Sequence, residues 1–250
     1  MEYVIGYSVG LIVTAAILAF VIPRARAGAR LRRSRMAALA NALGLAYNPR
    51  DSLRLVRTSP QPVLKDTRRR RACNVLRGSY RGRSVCVFDY FYFPRAARAR
   101  SRWVTAVLVE SPIRCATLVV RPVGSIERTE LTPELSNLNF ESDAFNRQFR
   151  VTCPEPKFAY AVLHARALHF LLDRVSMQVE AAGTSVFFSF PPPAPEVGPN
   201  QISACLPTAA IRTLLDTACD FMDLLPGYLV ADGGARSAPS PQEPTPATRN

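Results

Sequence analysis

Apolar and polar positions follow three different regimes along the chain. The first is unbroken: no charge occurs in the 20 residues from Tyr3 to Ile22. As a helix rising 1.5 Å per residue, this run spans roughly 30 Å, the thickness of a bilayer's hydrocarbon core. It is apolar on every face, unlike the half-buried helices of a soluble surface. Residues 1–23 are therefore read as a single transmembrane anchor. Met1-Glu2 lacks the basic side chain that a cleaved signal peptide carries.

The second regime, residues 36–230, is periodic. From Ser34 a helix is expected: Met36, Leu39, Ala40 and Leu43 recur at its spacing, and Gly44 closes it. Asn48 to Thr67, with Pro49, Pro60 and Pro62, reads as loop. Cys73–Tyr80 and Arg83–Phe93 flank Arg81-Gly82 and predict a hairpin. In its second strand Cys86, Phe88, Tyr90 and Tyr92 share one face, while Val85, Val87, Asp89, Phe91 and Phe93 share the other. Both faces are largely apolar, as in a central strand. Trp103–Val109 and Ala116–Val123 predict two further strands, and Phe149–Cys153 a short one. Helical stripes run over Lys157–Val175 and Thr208–Leu225, with Pro226-Gly227 stopping the latter. Between them, Met177–Ala181 and Thr184–Phe190 predict a second hairpin around Gly183. This order predicts an α+β domain, a mainly antiparallel sheet with packed helices, preceded by one transmembrane helix. The third regime, residues 231–250, has no apolar run and predicts a disordered tail.

Charge adds orientation. Arg24, Arg26, Arg30, Arg32, Arg33 and Arg35 follow the span, whereas only Glu2 precedes it. Basic residues stay on the cytoplasmic side, so residues 24–35 form a basic juxtamembrane segment. The expected location is the cell membrane, with the N-terminus outside and the domain cytoplasmic. The six cysteines show no C-x-x-C spacing and are expected as free thiols in such a compartment. Gly6 and Gly10 form a G-x-x-x-G pair, a weak signal for a homodimer.

The net charge of +13 is also uneven. Residues 24–128 hold 24 basic and 5 acidic side chains, and residues 129–250 hold 8 and 13. The basic half reads either as positive-inside retention with solvated loops or as a surface for an anionic partner: lipid headgroups or an acidic protein, with nucleic acid ranked last for want of a recognition motif. Beyond the juxtamembrane segment its clusters are Arg68, Arg69, Arg70 and Arg71, then Arg95, Arg98, Arg100 and Arg102.

Chemistry is otherwise sparse. No phosphate-binding glycine loop, dinucleotide fingerprint or nucleophile elbow occurs, so no cofactor is implied. His164 and His169 are five apart and miss the i, i+4 spacing of a helical metal pair. Asp216, Asp220 and Asp223 read as a solvated face near Arg212. Asp89 is the carboxylate of interest: an unpaired charge in an apolar strand is costly, so it needs an arginine partner or a role.

Glu141-Ser-Asp-Ala-Phe-Asn-Arg-Gln-Phe-Arg-Val151 and Val87-Phe-Asp-Tyr-Phe-Tyr92 carry a resemblance. With the N-terminal anchor, they resemble membrane-anchored proteins of high-GC bacteria that share an E-S-x-x-F-N-R-x-F-x-V pattern. The resemblance implies a membrane-anchored bacterial domain and no catalytic residue. Glu141, Asn146 and Arg147 are either ligand-binding or structural: Glu141 starting a turn, Asn146 bonding backbone at its end, Arg147 pairing with Glu141 or Asp143. The sequence thus leads to a membrane-tethered, non-enzymatic interaction domain with a basic half. The alternative is an enzyme or small-ligand receptor. A deep pocket around Asp89 or Asn146 would favour the alternative, and a basic face turned to the bilayer the first.

Overall fold

The computed structural model describes residues 23–24, 26–51, 54–65, 68–93, 102–123, 137–190 and 205–229. The expected span from Tyr3 to Ile22, Arg95, Arg98 and Arg100, and the tail from residue 231 lie outside the described residues. No helix among the described residues is long and apolar enough to cross a membrane.

The domain is α+β. β1 (Ala46–Arg50), β2 (Arg68–Tyr80), β3 (Arg83–Phe93), β4 (Arg102–Pro122) and β5 (Phe149–Thr152) lie in that order, every pairing antiparallel. β6 (Gln178–Ser189) pairs along the other side of β4. Helix α1 (residues 26–43) and α7 (Thr208–Asp223) pack on one sheet face. There Met36 and Ala40 of α1 and Ile211, Leu214 and Phe221 of α7 bury Val85, Val87, Val107 and Phe188. The short helices α2 (Leu55–Thr58) and α3 (Pro62–Lys65) cover the opposite face, over Phe88, Tyr90, Leu108 and Phe187. Each such side chain contributes about 1.5–3 kcal/mol on burial. The remaining helices are α4 (Asp143–Gln148), α5 (Pro156–Val162) and α6 (Ala165–Leu172).

The β2–β3 hairpin is where the alternation placed it. Arg81 and Gly82 both take positive φ, 49° and 74°, the geometry that suits a two-residue hairpin loop. Five other expectations are corrected. The 48–67 stretch is not simply loop: residues 46–50 form edge strand β1, where Pro49 needs no ladder donor, and Pro62 opens α3. The strands expected at 103–109 and 116–123 are one 21-residue strand. Ser111-Pro112 is absorbed by an irregularity between Glu110 and Cys115, with the Ile113 N–H donating to Ser111 Oγ at 3.3 Å. Gly183 marks no hairpin. It sits in β6 opposite Cys115 with φ 60°, and a Cβ there would come 3.1 Å from Pro60 Cγ. The helix expected over 157–175 breaks at Leu163-His164, where the His164 ring donates through Nε2 to the Leu224 carbonyl at 2.9 Å. Helix α1 already runs from residue 26, since arginine is a good helix former.

Candidate functional site

Asp89 lies mid-strand on the α1 face and is 1% exposed. Arg32, one turn before Met36 on α1, reaches it with two bonds: Nε to Oδ2 at 3.0 Å and Nη2 to Oδ1 at 2.8 Å. Arg32 Nη1 also donates to the Leu206 carbonyl at 2.6 Å, just ahead of α7. Asn74 Nδ2 donates to Asp89 Oδ2 at 2.8 Å and Thr105 Oγ1 to Oδ1 at 2.9 Å. Asn74 stands at an irregularity of β2 with φ 52°, a left-handed conformation that asparagine tolerates, and the bulge aims its amide at the carboxylate. Tyr47 Oη donates to Asn74 Oδ1 at 3.0 Å, and the Leu206 N–H to Thr105 Oγ1 at 3.0 Å. One carboxylate therefore joins α1, β1, β2, β3, β4 and the entry to α7.

The electrostatics agree with a permanent ion pair. Burial alone would lower the Arg32 pKa, but the hydrogen bonds and charge of Asp89 outweigh it and hold the guanidinium above its usual range. Burial, reinforced by the Asp89 charge, pushes the neighbouring Cys73 thiol up to about 11 and raises that of Cys205 as well. Both are poor nucleophiles. The chemistry Asp89 can perform here is structural: each of its oxygens already accepts two bonds.

The described members of the two arginine clusters stand at one end of the sheet. Arg68 pairs with Phe93, Arg71 with Phe91, and Arg102 with Tyr92. Arg69 and Arg71 are exposed; Arg69 lies over the Phe93 ring, 5.9 Å from its centroid. Arg70 serves the fold instead, donating to the carbonyls of Leu64 and of Lys65, the latter at 2.7 Å. Phe91, Phe93 and Trp103 are half-buried there, with Phe91 5.3 Å from Phe93 and 5.0 Å from Trp103 between ring centroids. Helix α1 points toward the same end. Leu45, just past its C-terminus, packs on Gly78 beside the hairpin, and Arg32 sits at mid-sheet. The turns before Arg32 continue toward Phe91 and Phe93.

The Glu141–Val151 segment is built for packing. Ser142 Oγ caps α4 by accepting from the Phe145 N–H at 3.3 Å. Asn146 bonds the Phe140 backbone twice, donating to its carbonyl at 2.7 Å and accepting from its N–H at 2.9 Å. That tie joins Asn146 to the chain before the helix rather than to the helix end. Phe145 and Phe149 are buried and stacked at 4.9 Å. Glu141 and Arg147 are exposed, and no ion pair links Arg147 to Glu141 or Asp143 among the described residues.

One buried polar cluster escapes the sequence reading, and one surface cluster differs from it. Glu180, fully buried in β6, accepts from Arg121 Nη2 at 2.6 Å, Gln178 Nε2 at 2.7 Å and the Val63 N–H at 2.8 Å, which pins α3 to the sheet. The acidic face of α7 is not merely solvated: Arg81 bonds Asp220 at 2.6 Å and Asp223 at 3.3 Å, Arg83 bonds Asp223 at 2.6 Å, and Tyr80 bonds Asp216 at 2.8 Å. No group of three metal-binding side chains occurs among the described residues. A cleft of 430 Å³ lies beside His164 and Tyr228, and another of 380 Å³ beside Arg77 and Glu110; neither is lined by Asp89 or Asn146.

Fold and site together define an α+β domain with one antiparallel sheet, locked by a buried ion pair to its N-terminal helix. A solved structure of a mycobacterial protein, the trehalose monomycolate transport factor A (TtfA), is similar, with a TM-score of 0.56 and 18% sequence identity. The match covers 77% of this chain and 93% of that one. At that identity the likeness concerns the fold. No family model and no curated protein matches the sequence.

Proposed function

We propose that the chain is a membrane-tethered, non-enzymatic interaction domain that holds a partner at the membrane. In this reading Tyr3 to Ile22 crosses the bilayer once, the N-terminus lies outside, and the domain lies on the cytoplasmic side. The observation that carries it is the Arg32–Asp89 clamp. Arg32 stands ten residues after Ile22, so the sheet is fixed to the helix that leaves the expected span. A mobile enzyme or receptor on a leash gains nothing from such a lock, whereas an adaptor gains a defined orientation. The filled acceptors of Asp89 and the packing role of Asn146 favour this reading over a small-ligand receptor.

The fold likeness to a trehalose monomycolate transport factor supports lipid transport at a bacterial membrane as the setting. The partner is then a membrane protein, met by the exposed aromatics Tyr160 and Tyr228. Photo-crosslinkers placed in the full chain at Tyr160, Val175 and Tyr228, exposed and away from the clamp, test this in intact membranes. The expected result is a covalent adduct with an integral membrane protein. Recovery of the chain in the soluble fraction, or no protein adduct from any of the three positions, would overturn the reading.

A further inference from the structure

We infer that the sheet end carrying Arg69, Arg71, Phe91, Phe93 and Trp103 is a second membrane contact, one that rests on anionic lipid headgroups. The inference builds on the tethered reading above and adds a surface, a partner class and an orientation.

Three observations converge. The first is direction. Leu45 at Gly78 fixes the far end of α1 beside the hairpin, and Arg32 at Asp89 fixes its middle. Six residues of helix before Arg32 advance roughly 9 Å, and the four strand residues from Asp89 to Phe93 advance roughly 13 Å. The first turns of α1 and the 91–93 end of β3 therefore lie on the same side of the domain. The opposite end, with Arg81 and Arg83 paired to α7, faces away from the bilayer.

The second is composition. Phe91 is in ring contact with both Phe93 and Trp103, yet all three are only half-buried. The indole of Trp103 is amphipathic and settles at the headgroup level of a bilayer, while Phe91 and Phe93 add apolar area beside it. The third is charge. Arg69 and Arg71 are exposed beside those rings, and Arg26, Arg30 and Arg33 are exposed on α1. Arg81 and Arg83 at the distal end are paired with carboxylates, whereas Arg69 and Arg71 form no ion pair among the described residues. Each arginine near an anionic leaflet contributes on the order of 1 kcal/mol. Tether and surface then act together: the span supplies a high local concentration, and the arginine–aromatic end fixes how the domain stands.

Trp103 is the sole tryptophan of the chain and lies in this surface, so the native protein reports its own docking. The full-length protein is reconstituted into vesicles carrying a headgroup spin-labelled lipid, either neutral or with phosphatidylglycerol. Quenching of Trp103 emission should be strong in the anionic vesicles, weak in the neutral ones, and relieved by salt. The double variant Arg69→Gln with Arg71→Gln should lower the docked-to-undocked ratio about 30-fold, from two arginine contributions. Arg71→Glu should abolish anionic-specific quenching, while Arg77→Gln, at the other end of β2, should leave it unchanged. Unquenched emission retaining its native wavelength shows that a variant is folded and undocked. Resistance of the same vesicles to carbonate extraction reports the span separately. Inserted protein whose Trp103 quenching is absent, or equal in neutral and anionic vesicles, would overturn the headgroup contact and leave the tether standing. Protein extracted by carbonate would overturn the tether itself.

Discussion

Replacing Arg32 with alanine is the sharpest perturbation of the clamp. It removes four hydrogen bonds, two to Asp89 and one each to Thr105 and Leu206. The Asp89 side chain keeps only 2% of its surface exposed, so water cannot replace the guanidinium. Breaking a buried ion pair from one side costs about 3–5 kcal/mol, because an uncompensated charge remains. The orphaned Leu206 carbonyl adds to that, though not additively. Against a total stability of about 5–15 kcal/mol, this is a large fraction. Urea unfolding followed by Trp103 emission should show a midpoint lowered by about 1–5 M, given slopes of about 1–3 kcal/mol per M. Arg32→Met combined with Asp89→Leu removes the charge and the need for it together, and should restore much of the loss. A chain shortened to begin at Met36 should be as weak as Arg32→Ala. A loss under about 1 kcal/mol in Arg32→Ala, the net worth of one ordinary hydrogen bond, would refute the assignment of the clamp.

Other consequences concern groups outside the Arg32–Asp89 pair. Burial pushes the Cys73 and Cys86 thiols up, to about 11 and about 12. The unfolded chain releases those protons first, so their contribution is full below about pH 8.5 and is lost as pH rises toward the folded values. Urea midpoints should fall between pH 9 and 11, and Cys86→Ala should flatten the fall; an unchanged slope would contradict it. Gly183→Ala places a Cβ at positive φ and 3.1 Å from Pro60 Cγ, and should cost on the order of 1 kcal/mol or more by the same unfolding assay. Arg121→Met strands the fully buried Glu180 and should cost about 3–5 kcal/mol, most of it recovered when Glu180→Gln is added.

What the sequence disclosed divides by physical range. The β2–β3 hairpin was legible because strand alternation and a two-residue turn are local signals. β4 was split because Ser111-Pro112 resembles punctuation, and only pairing with β6 shows that the strand passes through it. Gly183 misled for the same reason: its positive φ serves close packing against Pro60, which a turn rule does not see. The α5–α6 break carries no proline or glycine and is supported by a bond from His164 to Leu224, 60 residues away. Asp89 stood out as a charge in an apolar strand, and the need for an arginine followed. Which arginine did not: Arg32 was counted with the juxtamembrane charges, and 57 residues separate the pair. Glu180 and Arg121 gave no comparable signal, because each sits singly in a strand with other polar residues.

The domain is proposed to stand on the cytoplasmic face, held by the N-terminal span. Reporter fusions after Asn250 of the full-length chain test it most directly. A reporter that matures only in the cytoplasm should be active, and one that requires export should be silent. Activity of the exported reporter would contradict the account, since the arginine end of the sheet would then face the outer leaflet and the free thiols an oxidising compartment.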